Sequence, residues 1–185
     1  MSGSEKFQFP SGVTLIELLV ALSVLSILLA VGVPSFSQFS TSSRLNSYSN
    51  TLFSHLTLAR SEAIKRNSRV VVCKSSDGLS CAGSGDWNQG WVVFVDLDSD
   101  ANISGGEQIL TTMSSLPAGY SFSGNANVSN YVSYDGQGIT KLTTGAFQSG
   151  TITLCPAPPA EGGNGRYIII SSSGRLRIAK ITSCA

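Results

Sequence analysis

Residues 13–33, VTLIELLVALSVLSILLAVGV, form an apolar run in which Glu17 is the only charged residue. A helix over that run rises about 30 Å, the thickness of a membrane's hydrocarbon core, so the chain must find a non-aqueous home for this stretch. A carboxylate on such a helix costs about 2.5–3.5 kcal/mol at the bilayer centre and less near an end. Glu17 therefore needs a partner. A secretory signal peptide would have a basic n-region and a shorter apolar run, although Ala30 and Gly32 imitate a small-x-small cleavage site. A plain membrane anchor accounts for the length and leaves Glu17 idle.

The string GVTLIELLVALSVLSILLAVGVP, from Gly12 to Pro34, resembles the class III signal of type IV pilins and type II secretion pseudopilins. The resemblance implies cleavage after Gly12 by a prepilin peptidase and methylation of the new N-terminus at Val13. Glu17 then becomes the acid that pairs with the freed amine, usually that of a neighbouring subunit in a filament. Pro34 falls where the family has a helix-bending proline, and proline physically removes an i to i−4 hydrogen bond. Val13 stands where phenylalanine is usual, and Glu5 offsets Lys6 in the leader. The implied partners are the peptidase, other major and minor pilins through the N-terminal helix, and the inner membrane. Before assembly the body would lie in the periplasm, and afterwards in a pilus or pseudopilus at the cell surface.

Beyond Pro34 the chain continues without glycine or proline to residue 66. Leu45, Tyr48, Leu52, Leu56, Ala59 and Ala63 recur every three or four residues, which predicts an amphipathic continuation of the same helix, ended near Asn67 and Ser68. The fragment LARSEAIKRN resembles the end of this helix in the GspH/FimT group of minor pilins and pseudopilins. Apolar, β-branched runs then alternate with turn-rich pieces: RVVVC, GWVVFVD, EQILTTM, YSFSG, YVSYD, GTITLC, RYIIISS and RLRIAKI read as strands of an antiparallel domain. The order CKSSDGLSCAGSGDWNQGWVVFVD again resembles the GspH/FimT domain. The expected fold is α+β, the type IV pilin fold: leader 1–12, helix 13–66 with a membrane segment at 13–33, and a β-rich globular domain 67–185.

With 185 residues, a formal net charge of +1 and 12% charged residues, the chain is neither a polyelectrolyte nor disordered, and the part beyond residue 66 suffices for one core. Four cysteines, Cys73, Cys81, Cys155 and Cys184, in a body held outside the inner membrane favour disulfides. Three pairings are possible, of which the two local ones, 73 with 81 and 155 with 184, are favoured. No C-x-x-C pair supports a zinc site. In DLDSDANISGGE, residues Asp96, Asp98, Asp100, Asn102 and Glu107 match positions 1, 3, 5, 7 and 12 of a calcium loop, but position 6 is Ala101 rather than glycine. A solvated hairpin connection is the preferred reading and no metal or cofactor is expected. The single histidine, His55, lies on the helix, so no Ser-His-Asp or Cys-His arrangement is available and an enzyme is not expected.

Past Glu161 no acid occurs, while Arg166, Arg175, Arg177 and Lys180 accumulate. On a strand RLRIAKI, Arg175 and Arg177 would share one face, and two such guanidiniums can contact successive phosphates without regard to base sequence. The rival reading is a cluster that keeps a strand edge soluble. Gly174, Arg175 and Arg177 match a Gly-Arg-x-Arg motif near the C-terminus of FimT-type minor pilins, a group linked to DNA capture in natural transformation. The resemblance thus implies a DNA-binding minor pilin, with Lys180 and Arg166 as lesser contacts and Arg60, Lys65 and Arg66 left for filament packing. The alternatives are a structural minor pilin that primes assembly or caps the tip, and a GspH-like minor pseudopilin of type II secretion.

Overall fold

A computed structural model describes residues 12–157 and 164–184, without the side chains of 31–35, 37 and 38. The chain divides into two compact units, residues 1–40 and 41–185.

Helix α1 (Leu15–Arg66) begins where Thr14 caps it: the Thr14 carbonyl accepts from the Leu18 amide at 3.1 Å and the Thr14 Oγ1 from the Glu17 amide at 3.3 Å. Thr14 and Glu17 stand at the spacing of a capping box, which puts the carboxylate in the first turn, at the positive end of the helix dipole. From Val13 to Leu29 the large apolar side chains are exposed. Among the described residues no helix is long and apolar enough to cross a membrane. Within the 13–33 segment expected from sequence, side chains are described through residue 30 and helical backbone through residue 33. Residues 1–11, most of the expected leader, lie outside the described residues.

In the second unit the helix presents Leu45, Leu52, Leu56, Ala59 and Ala63 to the core, all of them buried. Each fully buried leucine contributes about 1.5–3 kcal/mol. The helix ends as expected: Asn67 adopts a left-handed φ of 49° and the Ser68 amide returns to the Ala63 carbonyl at 3.2 Å, satisfying an orphan carbonyl of the last turn.

Among the described residues eight strands follow, β1 (Arg69–Lys74), β2 (Trp91–Asp96), β3 (Ile109–Met113), β4 (Tyr120–Gly124), β5 (Tyr131–Tyr134), β6 (Gly150–Pro156), β7 (Gly165–Ile170) and β8 (Leu176–Ile181). They form two antiparallel four-stranded sheets, ordered β3-β2-β1-β5 and β4-β6-β7-β8. Inner-face residues of both, among them Val70, Val93, Val132, Phe122, Ile152, Leu154 and Ile168, join the helical stripe in one core. The cysteines pair locally, Cys73 with Cys81 and Cys155 with Cys184. The first bond belongs to a second, smaller cluster on the outer face of the first sheet, where Val71, Cys73, Val92 and Phe94 are buried beneath Ala101, Ile103 and Cys81.

Candidate functional site

Strands β7 and β8 are joined by the turn Ser171–Arg175. The Gly174 amide donates to the Ser171 carbonyl at 2.9 Å and the Ser171 amide to the Arg175 carbonyl at 3.0 Å, the pattern of a tight turn closed by one left-handed residue. That residue is Gly174, with φ of 77°. A Cβ here would also strike the Gly138 carbonyl oxygen, so glycine is required twice over, by conformation and by close approach. From the helix, the Arg60 Nη2 donates to the Ser173 carbonyl at 3.1 Å, pinning the turn from a second side.

The turn delivers Arg175 and Arg177 to the surface, both exposed. They line one shallow cavity of about 350 Å³ together with Ile169, Ser171, Ser173 and Leu176, none of them acidic. Among the described residues neither arginine forms an ion pair. The route by which they meet differs from the expected one: β8 starts at Leu176, so Arg175 belongs to the turn rather than to the strand.

The remaining basic candidates separate. Arg166 is 2% exposed and faces inward beside Ile168 and Ile170. Its Nε donates to Asn46 Oδ1 at 2.8 Å, its Nη1 to the Gly165 carbonyl at 2.7 Å and its Nη2 to Ser42 Oγ at 3.3 Å. It is a strut between helix and sheet and is withdrawn from the surface set. Lys180 is exposed but pairs across the ladder with Arg166, on the face opposite Arg177. Arg60, left for filament packing on sequence grounds, is tied to the Ser173 carbonyl, a bond spanning 113 residues that no local pattern signals. Lys65 and Arg66 pair with Glu62 at 3.3 and 2.7 Å, and Arg66 also donates to Gln108.

Two other regions complete the survey. Asp96, Asp98 and Glu107 bring carboxylate oxygens within 4.8 Å of one another. These oxygens already accept loop amides: Asp96 from Ser99 and Ala101, Glu107 from Leu97 and Ser104. Ala101 takes a left-handed φ of 61° where a calcium loop would have glycine, and burial raises the Asp96 pKa above the ordinary carboxylate value. His55 Nδ1 accepts from the Trp91 indole at 2.9 Å, and burial holds its imidazole below the usual value. It is a packing residue.

Gly12, Val13 and Thr14 precede the helix and are exposed. The helix backbone is continuous through residue 34, while the Pro34 side chain lies outside the described residues. The model of the prokaryotic N-terminal methylation motif matches residues 10–33, taking in Gly12, Val13 and Glu17. The model described as type II transport protein GspH matches residues 49–174. The chain belongs to the GspH family.

The GspH match stops at Gly174, one residue before the arginine pair. A crystal structure of the type IV minor pilin FimU of Pseudomonas aeruginosa superposes with a TM-score of 0.58 at 20% identity, covering 80% of this chain and 99% of that one. A second crystal form of FimU gives 0.53 at 18% identity, covering 76% and 99%. No curated protein matches in sequence. At such identities the likeness shows the fold alone, the type IV pilin fold. Family and motif together make this GspH-type protein a minor pilin or pseudopilin, a structural component rather than an enzyme. The methylation motif implies processing by prepilin peptidase, membrane anchoring, and assembly with other pilins.

Proposed function

We propose that this GspH-family pilin binds extracellular DNA electrostatically through Arg175 and Arg177 and serves uptake in natural transformation. Processing after Gly12 frees the Val13 amine, Glu17 neutralises it in the filament, and the inner-membrane precursor becomes a pilus subunit with its β domain outward. The observation that carries the DNA reading is the pair of exposed guanidiniums on one cavity that, among the described residues, has no acid in its lining and no ion pair to either arginine. Guanidiniums bind phosphate oxygens through charge-assisted, often bidentate hydrogen bonds, and such contacts carry no base preference.

The test uses the full chain in a non-ionic detergent and a short DNA duplex. Neutralising two phosphates predicts a log–log salt slope of about −1.8, or roughly tenfold weaker binding between 50 and 200 mM salt. The expected Kd lies in the range of about 10⁻⁴–10⁻⁶ M that nonspecific contacts give. Arg175→Ala with Arg177→Ala abolishes the shift. Undiminished binding by that double variant moves the site elsewhere, and no binding by the parent removes the DNA reading.

The GspH match favours a second reading, a minor pseudopilin of type II secretion or a minor pilin that primes assembly. It shares the helix and processing and assigns the arginines no ligand.

A further inference from the structure

The arginine cavity is one end of a longer feature. The outer face of the β4-β6-β7-β8 sheet is built in cross-strand rows: Ser123, Thr153, Tyr167 and Ala179 in one, Thr151, Ile169 and Arg177 in the next. A shallow cavity of about 550 Å³ lies over the first row and reaches Ile169, which also lines the arginine cavity. The two hollows are therefore adjacent along one face, and among the described residues no acid lines either.

Tyr167 sits at the middle of this face, half-buried, between the small Thr153 and Ala179 side chains. Among the described residues its ring stacks on no other aromatic ring and its hydroxyl takes part in no hydrogen bond within the protein. Arg177 is its diagonal neighbour on the next strand, a separation of about 7–8 Å between Cα atoms, within reach of one long side chain. A flat ring flanked by small residues, with a free cation one diagonal away, fits a nucleobase on the ring and its phosphate on the cation.

We infer that this face is a platform for a single-stranded stretch of DNA, with a base stacked on Tyr167 and the adjoining phosphates held by Arg177 and Arg175. The inference rests on the DNA-binding reading above and adds the state of the DNA. A duplex keeps its bases in the stack and offers this face only phosphates, whereas a single strand offers both base faces and phosphates. Hydroxyls of Ser123, Thr151 and Thr153 lie along the path and can serve base edges of any identity.

The experiment measures fluorescence anisotropy of labelled oligothymidine and of a labelled duplex at one low salt concentration, with the full chain in a non-ionic detergent. Tyr167→Ala is expected to weaken oligothymidine binding about tenfold and to change duplex binding less than about twofold. Tyr167→Phe keeps the ring and is expected to bind as the parent does. Arg175→Ala with Arg177→Ala weakens both probes. Equal loss of both probes in Tyr167→Ala, or parental oligothymidine binding by it, overturns the platform while the arginine result stands. A loss in Tyr167→Phe matching that in Tyr167→Ala overturns stacking. If the parent binds neither probe, the DNA reading falls along with the platform.

Discussion

The two sheets share one core but treat their outer faces in opposite ways. On the β3-β2-β1-β5 sheet the chain folds back over the surface: β2 is buried along its whole length, and the loops after β1 and β2 add Cys81, Ala101 and Ile103 as a lid. On the β4-β6-β7-β8 sheet, β6 and β7 mix buried with half-exposed residues, β8 has no buried residue, and no segment among the described residues makes a second cluster over them. The loops after β1 and β2 cover the first sheet, and among the described residues none makes such a cover over the second, which carries arginines at one of its ends. A face that no loop among the described residues covers, beside a sheet whose outer face is covered, is where a partner has access.

The largest expected effect tests that asymmetry directly. Phe94→Ala, on the covered face, should cost about 3–5 kcal/mol in urea unfolding, whereas Ile169→Ala on the open face should cost about 1 kcal/mol or less. Comparable losses at the two positions would mean the faces are equally packed, which would end the comparison.

Next come the disulfides, one on each sheet. By loop-closure entropy the bond spanning 29 residues, Cys155–Cys184, is worth roughly 3.5 kcal/mol and the 8-residue Cys73–Cys81 bond about 2.5 kcal/mol. Double serine variants of each pair, compared by thermal unfolding, should rank in that order.

Arginines sharpen the contrast within the open sheet. Arg166→Ala strips hydrogen bonds from Asn46 and the Gly165 carbonyl and should cost about 2 kcal/mol with duplex binding unchanged, while Arg175→Ala should leave stability within about 0.5 kcal/mol and weaken binding. Denaturation and anisotropy on the same samples separate the two roles.

The smallest effect is a pH dependence. Burial lowers the His55 pKa in the folded chain below the usual 6.5, so between those values the unfolded chain binds the extra proton. The His55 contribution is then fully present above pH 6.5 and declines as pH falls toward the depressed value. His55→Gln should flatten the urea midpoint between pH 7.5 and 5.5 relative to the parent.

Local patterns carried most of what could be read from sequence. The eight strands lie where apolar, aromatic or β-branched runs fall between turn residues, and the helical stripe from Leu45 to Ala63 is the one packed on the core, because both signals reside in neighbouring residues. Strand partners were not legible: β1 pairs with β5 and β4 with β6, choices made by contacts far apart in the chain. Arg166 shows what counting charges overlooks. Its phase with Ile168 and Ile170, opposite Tyr167 and Ile169, places it inside, and that alternation was available in RYIII. The same phase argument separates Lys180 from Arg177. Arg60 had no local signal, since its hydrogen bond to Ser173 exists only once helix and turn have met.

The bond from Cys155 to Cys184 has a mechanical side. Strand β8 is the outermost of its sheet and is paired only to β7, so a tug on its far end would open it one rung at a time. Riveting the residue that follows β8 to β6, two strands inward, closes that route. A pull on the C-terminal end of β8 is then carried by a covalent bond rather than by the last rungs of the ladder.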